Sequence, residues 1–418
     1  MSMGRVLYSL LLYVATPLLL LRLLWRAHRQ RGYLRHLPER FGFYRMVRGP
    51  RPLIWVHAVS VGETRAAESL IRALQARYPR HGLLLTHMTP TGRDTGIALF
   101  GNDVARCYLP YDYPGAVARF LDHFRPAAGL MIETEIWPHL VHAGVVRGIP
   151  LYLVNARLSE RSLRGYRRIG ALARDAVQGF SAIAAQTDAD AARLRLLGAT
   201  RVSVTGNLKF DLELPAAQLA QGEAWRQSIG DRAVLLAAST RDGEETLLLD
   251  AVQRADLHGA LLIIVPRHPQ RFDDVAALIA ARGLRLQRRS AGGPVVPGTA
   301  VLLGDSMGEM FVYYAACDVV LMGGSFLAYG AHSLIEPCAL GKPVIIGPST
   351  YNFAEATDAA VAAGAALRAA DMAQAMMLAL QLAADPVRRQ HMEASGLLFT
   401  AAHRGATARV LELIRPQG

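Results

Sequence analysis

A chain of 418 residues with 46 basic and 34 acidic side chains, net charge +12, is too long for one ordinary core and is expected to hold two domains. A hydrophobic share of 52% with 19% charged residues excludes a disordered chain, and three scattered cysteines (Cys107, Cys317, Cys338) without a CxxC pair exclude a disulfide framework or structural zinc. The basic excess favours an anionic partner such as a phospholipid, phosphorylated lipid, nucleotide or nucleic acid, and only two of the basic residues, Lys209 and Lys342, are lysines.

The first element is apolar. Val6 to Leu21, VLYSLLLYVATPLLLL, carries no charge, and LLW continues past Arg22. This predicts a membrane-anchor helix within residues 1–25, close to the roughly 20 residues that cross a bilayer core. Pro17 is tolerable in lipid, and no A-x-A pattern marks a cleaved signal. A basic juxtamembrane segment, 26–51, follows, with Arg26, Arg29, Arg31, Arg35, Arg40, Arg45 and Arg48 opposed only by Glu39. By the positive-inside rule this flank and the body behind it stay cytoplasmic. The pattern admits either a spanning helix or one lying on the membrane, and in both cases an anionic membrane surface is an expected partner.

Beyond Pro52, short apolar runs alternate with helical stretches. LIWVHAV, GLLLTHM, ARCYLP, GLMIETE, PLYLVNA, SAIAAQ and VSVTG form one strand series. After LPAAQLAQGEAWRQSIGD, a helical interlude, AVLLAAS, ALLIIVP, AVLLGD, DVVLMGG and KPVIIGP form a second. Runs this apolar predict parallel strands buried on both faces, hence two doubly wound α/β domains, 52–211 and 231–418, with a linker at 212–230. The last helices are allowed to pack back on the first domain. Ligands of such sheets bind outside the carboxyl ends of the strands.

The candidate residues fall at those ends. Glu63, in SVGE, follows the first strand; Gly62 permits a tight turn or close approach, and Glu63 serves either the helix dipole or chemistry. The helix N-terminus is expected to lower the pKa of Glu63. Glu133 and Glu135 in IETEIWP share a face if the strand persists. Lys209, in VTGNLKFD, places a compact charge for an anionic group, unless it is simply a surface lysine. In the second series, Arg267 and His268 of PRHP can reach a phosphate or base. GDSMGEM, containing Met307, Gly308 and Glu309, is expected to open a helix at Ser306 and offer backbone N–H groups to an anion. Ser333, Leu334, Ile335 and Glu336 read as a capping box, with Gly341 ending a short helix. Asp188-x-Asp190 is read as helix capping rather than a metal site, and His57 and His87 as packed core.

Taken together, SVGET, MTPTG, YLPYD, IETEIWP, NARLSERS, VTGNLKFD, PRHP, GDSMGE, HSLIEP and GPSTYNFAE resemble, in order, the motifs of the Kdo transferases, which add 3-deoxy-D-manno-oct-2-ulosonic acid (Kdo) to a lipid A precursor. The resemblance implies a GT-B fold of two facing Rossmann-like domains with the active site between them, in lipopolysaccharide synthesis at the bacterial inner membrane. It implies CMP-Kdo as donor, a phosphorylated lipid A precursor as acceptor, inversion at the anomeric centre, no metal, no cofactor and no nucleic acid. Glu63 corresponds to the general base, and Glu133 and Lys209 to positions that steady the transition state. Arg267-His268, Met307-Gly308-Glu309 and Ser333 to Glu336 correspond to CMP-binding segments. Where the family reads Gly-Gly-His-Asn, this chain has Gly330-Ala331-His332-Ser333. Two other readings remain: a GT-B enzyme using a UDP-sugar on another lipid, and a membrane-tethered protein that only binds nucleic acid or anionic lipid.

Overall fold

Alternation along the buried strands builds the fold. In the computed structural model, which describes residues 3–47 and 49–417 but not the side chain of Arg29, the chain forms two compact units. Arg48, expected in the basic segment, lies outside the described residues. The first unit comprises Met1–Asp211 with Arg404–Gly418, and the second Leu212–His403.

The first unit holds a seven-stranded sheet: β1 (Leu53–His57), β2 (Gly82–His87), β3 (Ala105–Tyr108), β4 (Ala128–Ile132), β5 (Leu151–Ala156), β6 (Ala182–Ala185) and β7 (Val202–Val204). Its order is β3-β2-β1-β4-β5-β6-β7, and every pairing is parallel. Trp55, Leu84, Met131 and Leu153 point to one face, against helices Pro114–Phe124 and Gly170–Gln178. Ile54, Val56, Leu85, Leu130 and Val154 point to the other, against Glu68–Arg77 and the tail helix Ala406–Leu413. Each such side chain contributes about 1.5–3 kcal/mol on burial, against about 1 kcal/mol across the whole scale of strand propensities, so burial sets the register. The tail is fixed by Asp211, whose carboxylate accepts the N–H groups of Gly405 (2.6 Å) and Thr407 (2.5 Å).

The second unit repeats the plan with β8 (Val234–Thr240), β9 (Leu261–Pro266), β10 (Leu286–Arg288), β11 (Val301–Leu303), β12 (Val319–Met322), β13 (Val344–Ile346) and β14 (Ala366–Arg368), ordered β10-β11-β9-β8-β12-β13-β14 and again parallel. Residues 212–230, read as a linker, are mostly the helix Ala216–Ile229 of this unit. Gly222 lets it lie close on the helix Met310–Ala316, since a Cβ there would fall 2.5 Å from both Ala315 Cβ and Val312 O.

The N-terminal helix runs from Met3 to Arg29, with Pro17 inside it, and is long and apolar enough to cross a membrane. Part of its surface packs on the first unit: Leu23 and Ala27 are buried, Ser9 Oγ lies 2.9 Å from His139 Nε2, and Thr16 Oγ1 lies 2.7 Å from the Tyr113 hydroxyl. The basic segment is not uniformly exposed. Arg40 is buried, its guanidinium 4.1 Å from the Tyr108 ring centroid, and Glu39 pairs with Arg93 at 2.9 Å.

Candidate active site

In both sheets the strand order reverses direction at one point, between β1 and β4 in the first and between β8 and β12 in the second. Ligands of open α/β sheets bind at such points, outside the carboxyl ends. Each unit gathers polar side chains there.

In the first unit, Glu63 is the third residue of the helix Val61–Ala66, which leaves β1 with Ser60 as its N-cap. Ser60 makes no side-chain cap; instead Glu63 reaches back, accepting from Val59 N–H (2.7 Å) and Ser60 Oγ (3.1 Å). Gly62 is not needed for this turn: it lies in the helix, and a Cβ there would meet nothing nearer than Ser60 Oγ at 4.0 Å. The close approach is at Gly92, where a Cβ would lie 3.1 Å from Val59 O.

β4 ends at Ile132, so Glu133 and Glu135 do not alternate as strand residues. Glu133 takes a left-handed backbone, φ 65°, and its carboxylate accepts from Lys209 Nζ at 3.0 Å. Glu135 accepts from Trp137 Nε1 at 2.6 Å and lies 3.6 Å from His57 Nε2. Lys209 arrives from β7, at the far edge of the sheet. The chain turns back over the strand ends, where Leu208 N–H donates to Asn155 Oδ1 (3.0 Å) near the end of β5. Asn155, itself at φ 55°, and Gln186, which accepts from Asn207 Nδ2 at 3.0 Å, position this return.

Burial pushes the pKa of Glu63 up to about 7, and the charges of Glu133 and Glu135 push the same way, against the lowering effect of the bonds from Val59 and Ser60. The expectation that the helix N-terminus would lower it is overturned. A few tenths to one kcal/mol from a helix terminus does not offset desolvation beside two carboxylates. His57 and His87 are core residues, as expected: His87 Nδ1 lies 2.9 Å from Ala58 O, and burial lowers its pKa to about 3.

In the second unit, a segment that sequence reasoning passed over, Ser239 to Glu245, follows β8. Buried Glu244 accepts from the N–H groups of Arg241 (2.9 Å), Gly324 (2.6 Å) and Phe326 (2.9 Å), tying the loop after β12 to that after β8. Buried Glu245 is held by Thr240 (2.8 Å) and Arg271 (3.1 Å). Gly323 is obligatory here, because a Cβ would lie 2.4 Å from Ser239 O. Arg241 Nη1 lies 2.9 Å from His268 Nε2, and Arg267 N–H donates to Thr240 O at 2.9 Å. Burial, with the charges of Arg267 and Arg241, lowers the pKa of His332 to about 4, and burial with the same arginines lowers that of His268. Arg241 and Arg267 thus set positive charge beside the two histidines. The strand-end position of STRDGEE is the signal that could have found it.

Two helix starts differ from expectation. Ser306 to Glu309 is a turn, with Gly308 at φ 83°, and the helix begins only at Met310. Glu309 accepts from Ser306 Oγ (2.5 Å) and pairs with Arg289 (3.5 Å), while Met307 is exposed. The capping box at Ser333 does not form either: the helix is Ile335–Ala339, its N-cap is Leu334, and Ser333 Oγ accepts only from Ile335 N–H, at 3.4 Å. Gly330 (φ 82°) and Ala331 (φ 67°) hold this loop off the helical path. Glu336 lies in the helix's first turn and Gly341 follows its end, as expected. Thr187, rather than Asp188, caps the helix Asp188–Leu196, and Asp190 Oδ2 accepts from its hydroxyl at 2.7 Å. Among the described residues no group of three or more His, Cys, Asp or Glu could hold a metal ion.

Along 99% of its length this chain is 48% identical to a 3-deoxy-D-manno-octulosonic acid transferase of Bordetella pertussis, covering 99% of that protein. The chain belongs to the Kdo transferase family. The enzyme of the same description from Haemophilus influenzae is 36% identical over 99% of both chains, and a family model described as 3-deoxy-D-manno-octulosonic-acid transferase matches residues 35–212. This Kdo transferase is therefore a glycosyltransferase. Its fold resembles the solved UDP-GlcNAc 2-epimerase of Neisseria meningitidis with a TM-score of 0.59, over 86% of this chain and 99% of that one. At 17% identity that likeness shows the two-domain Rossmann-like, GT-B-type fold alone.

Three outcomes follow from this geometry. Ala331 adopts a left-handed backbone that costs an L-residue about 1–2 kcal/mol, so Ala331→Gly is expected to stabilise the protein by about 1 kcal/mol in denaturant unfolding. In a carboxyl-resolved titration, Glu135→Gln is expected to lower the pKa of Glu63 by removing a like charge. Lys209→Met is expected to raise it by leaving Glu133 unneutralised.

Proposed function

We propose that this Kdo transferase moves Kdo from CMP-Kdo to a phosphorylated lipid A precursor, with inversion and with Glu63 as general base, as a step of lipopolysaccharide synthesis. The observation that carries the reading is the Glu63 carboxylate, lifted to about 7 at the β1 strand end. A base works best with a pKa near the operating pH, and Glu63 is half ionised there while keeping the basicity that a free carboxylate lacks. In the reaction, the acceptor hydroxyl oxygen forms a bond to the anomeric carbon as the bond to the CMP phosphate breaks. The hydroxyl proton passes to Glu63, and CMP leaves with the electron pair.

Lys209, paired with Glu133, supplies fixed positive charge beside the developing centre. The anionic donor is assigned to the second unit, where Arg241, Arg267, His268 and His332 complement its phosphate and carboxylate. The turn Met307-Gly308-Glu309 and the segment Ser333-Leu334-Ile335-Glu336 flank that group as donor contacts. These side chains provide the charge balance, so no metal or other cofactor is proposed. The first unit is assigned the lipid acceptor. The apolar N-terminal helix and its arginine-rich flank support a place on the cytoplasmic face of the inner membrane.

Mass spectrometry of the products of purified enzyme, CMP-Kdo and a lipid A precursor tests the reading. Addition of Kdo is expected; transfer from UDP-sugars alone overturns it. The pH profile tests the base. Glu63 acts ionised, so kcat/KM is expected to fall tenfold per unit as pH drops below about 7, and a rate flat from pH 7 to 5 contradicts the assignment.

A further inference from the structure

We infer that the N-terminal helix does not cross the bilayer but lies in the plane of an anionic membrane surface, with one face docked on the first unit and the other immersed in a single leaflet. This deepens the membrane location proposed above.

The helix has two faces along its whole length. Tyr8, Ser9, Leu12, Thr16, Leu23 and Ala27, spaced three, four or seven apart apart from the Tyr8–Ser9 pair, are buried or half-buried on the protein. Leu7, Leu11, Val14, Leu18, Leu21 and Trp25, spaced strictly four and three apart, are between 56% and 70% exposed. A spanning helix meets lipid all round. Here Val6, Leu10, Tyr13, Leu20 and Leu24, also exposed, widen that stripe into one broad apolar face, and only the side docked on the protein is withheld from lipid.

The docked face is held by polar contacts. Ser9 Oγ meets His139 Nε2 at 2.9 Å and Thr16 Oγ1 meets the Tyr113 hydroxyl at 2.7 Å, while the rings of Tyr8 and His139 are centred 5.0 Å apart. Beneath them the buried Asp112 carboxylate accepts from His139 N–H (2.9 Å) and Leu140 N–H (2.8 Å). From Tyr8 to Ala27 the helix advances about 28 Å, nearly a hydrocarbon thickness, with the protein alongside. Standing this helix upright would carry those histidine, tyrosine and aspartate groups into hydrocarbon, or break every contact.

The occupant of the exposed stripe is lipid, on charge grounds. Arg22 emerges beside Leu18, Leu21 and Trp25, and Arg31 and Arg35 follow, all exposed, so the apolar stripe ends in cations suited to anionic headgroups.

Sidedness tests the inference in the full chain, without any need for turnover, so it can fail while sugar transfer stands, and the reverse. The native cysteines are all buried, which keeps labelling background low. Met3→Cys and His28→Cys, made separately, are expected to react with a membrane-impermeant maleimide from the same side of sealed membrane vesicles. Reaction from opposite sides overturns the inference. With phosphatidylethanolamine–phosphatidylglycerol vesicles, the double substitution Leu11→Glu, Leu18→Glu is expected to weaken flotation at least tenfold while the detergent-dispersed protein stays folded and binds CMP. Unchanged flotation, or conversion of a detergent-stable dimer to monomer, instead assigns the stripe elsewhere and overturns it.

Discussion

The ion pair between Lys209 and Glu133, 3.0 Å apart, lets three carboxylates share one sheet end. Glu63, Glu133 and Glu135 come from two adjacent strand ends, where their mutual repulsion would otherwise be relieved only by solvent or protons. Burial, with the charges of Glu133 and Glu135, lifts the Glu63 pKa to about 7. The Lys209–Glu133 pair requires the chain after β7 to fold back across the sheet, which is the work of Asn155, Gln186 and Asn207. The arrangement around Glu63 thus depends on a lysine 146 positions away in sequence, delivered by the topology.

Much of this was legible from residue order. All twelve apolar runs form strands, most because burial on both faces leaves a continuous hydrophobic signature, although the edge strand β7 is largely exposed. β10 and β14 were not legible: each is a three-residue edge strand with partly exposed side chains, so no apolar run marks it. The strand-end positions of Glu63, Glu133 and Lys209 were visible, but the direction of the Glu63 shift was not. It depends on burial and on neighbours from β4, which no local pattern encodes. The scarcity of lysine was an ambiguous guide: Lys342 donates to the carbonyls of Ala315 and Cys317, closing a helix end. Helix starts at Ser306 and Ser333 were misplaced because positive-φ residues nearby hold both segments as loops, whatever their capping sequence suggests.

The two units solve opposite electrostatic problems with the same architecture. The first crowds acids at its switch point and relieves them with one lysine. The second crowds arginines and histidines, and burial together with the arginine charges lowers the histidine pKa values. Buried Glu244 and Glu245 have their oxygens committed to loop N–H groups, Thr240 and Arg271.

The role of Glu63 is tested most directly by single-turnover transfer with Glu63→Gln, alongside CMP binding by the same preparation. Loss of a positioned base slows the chemical step by about 10²–10⁴, so a drop of that size with unchanged CMP affinity is the expected result. Transfer at more than about a tenth of the unsubstituted rate, with chemistry limiting, would contradict it and leave Glu63 as the cap of its own helix.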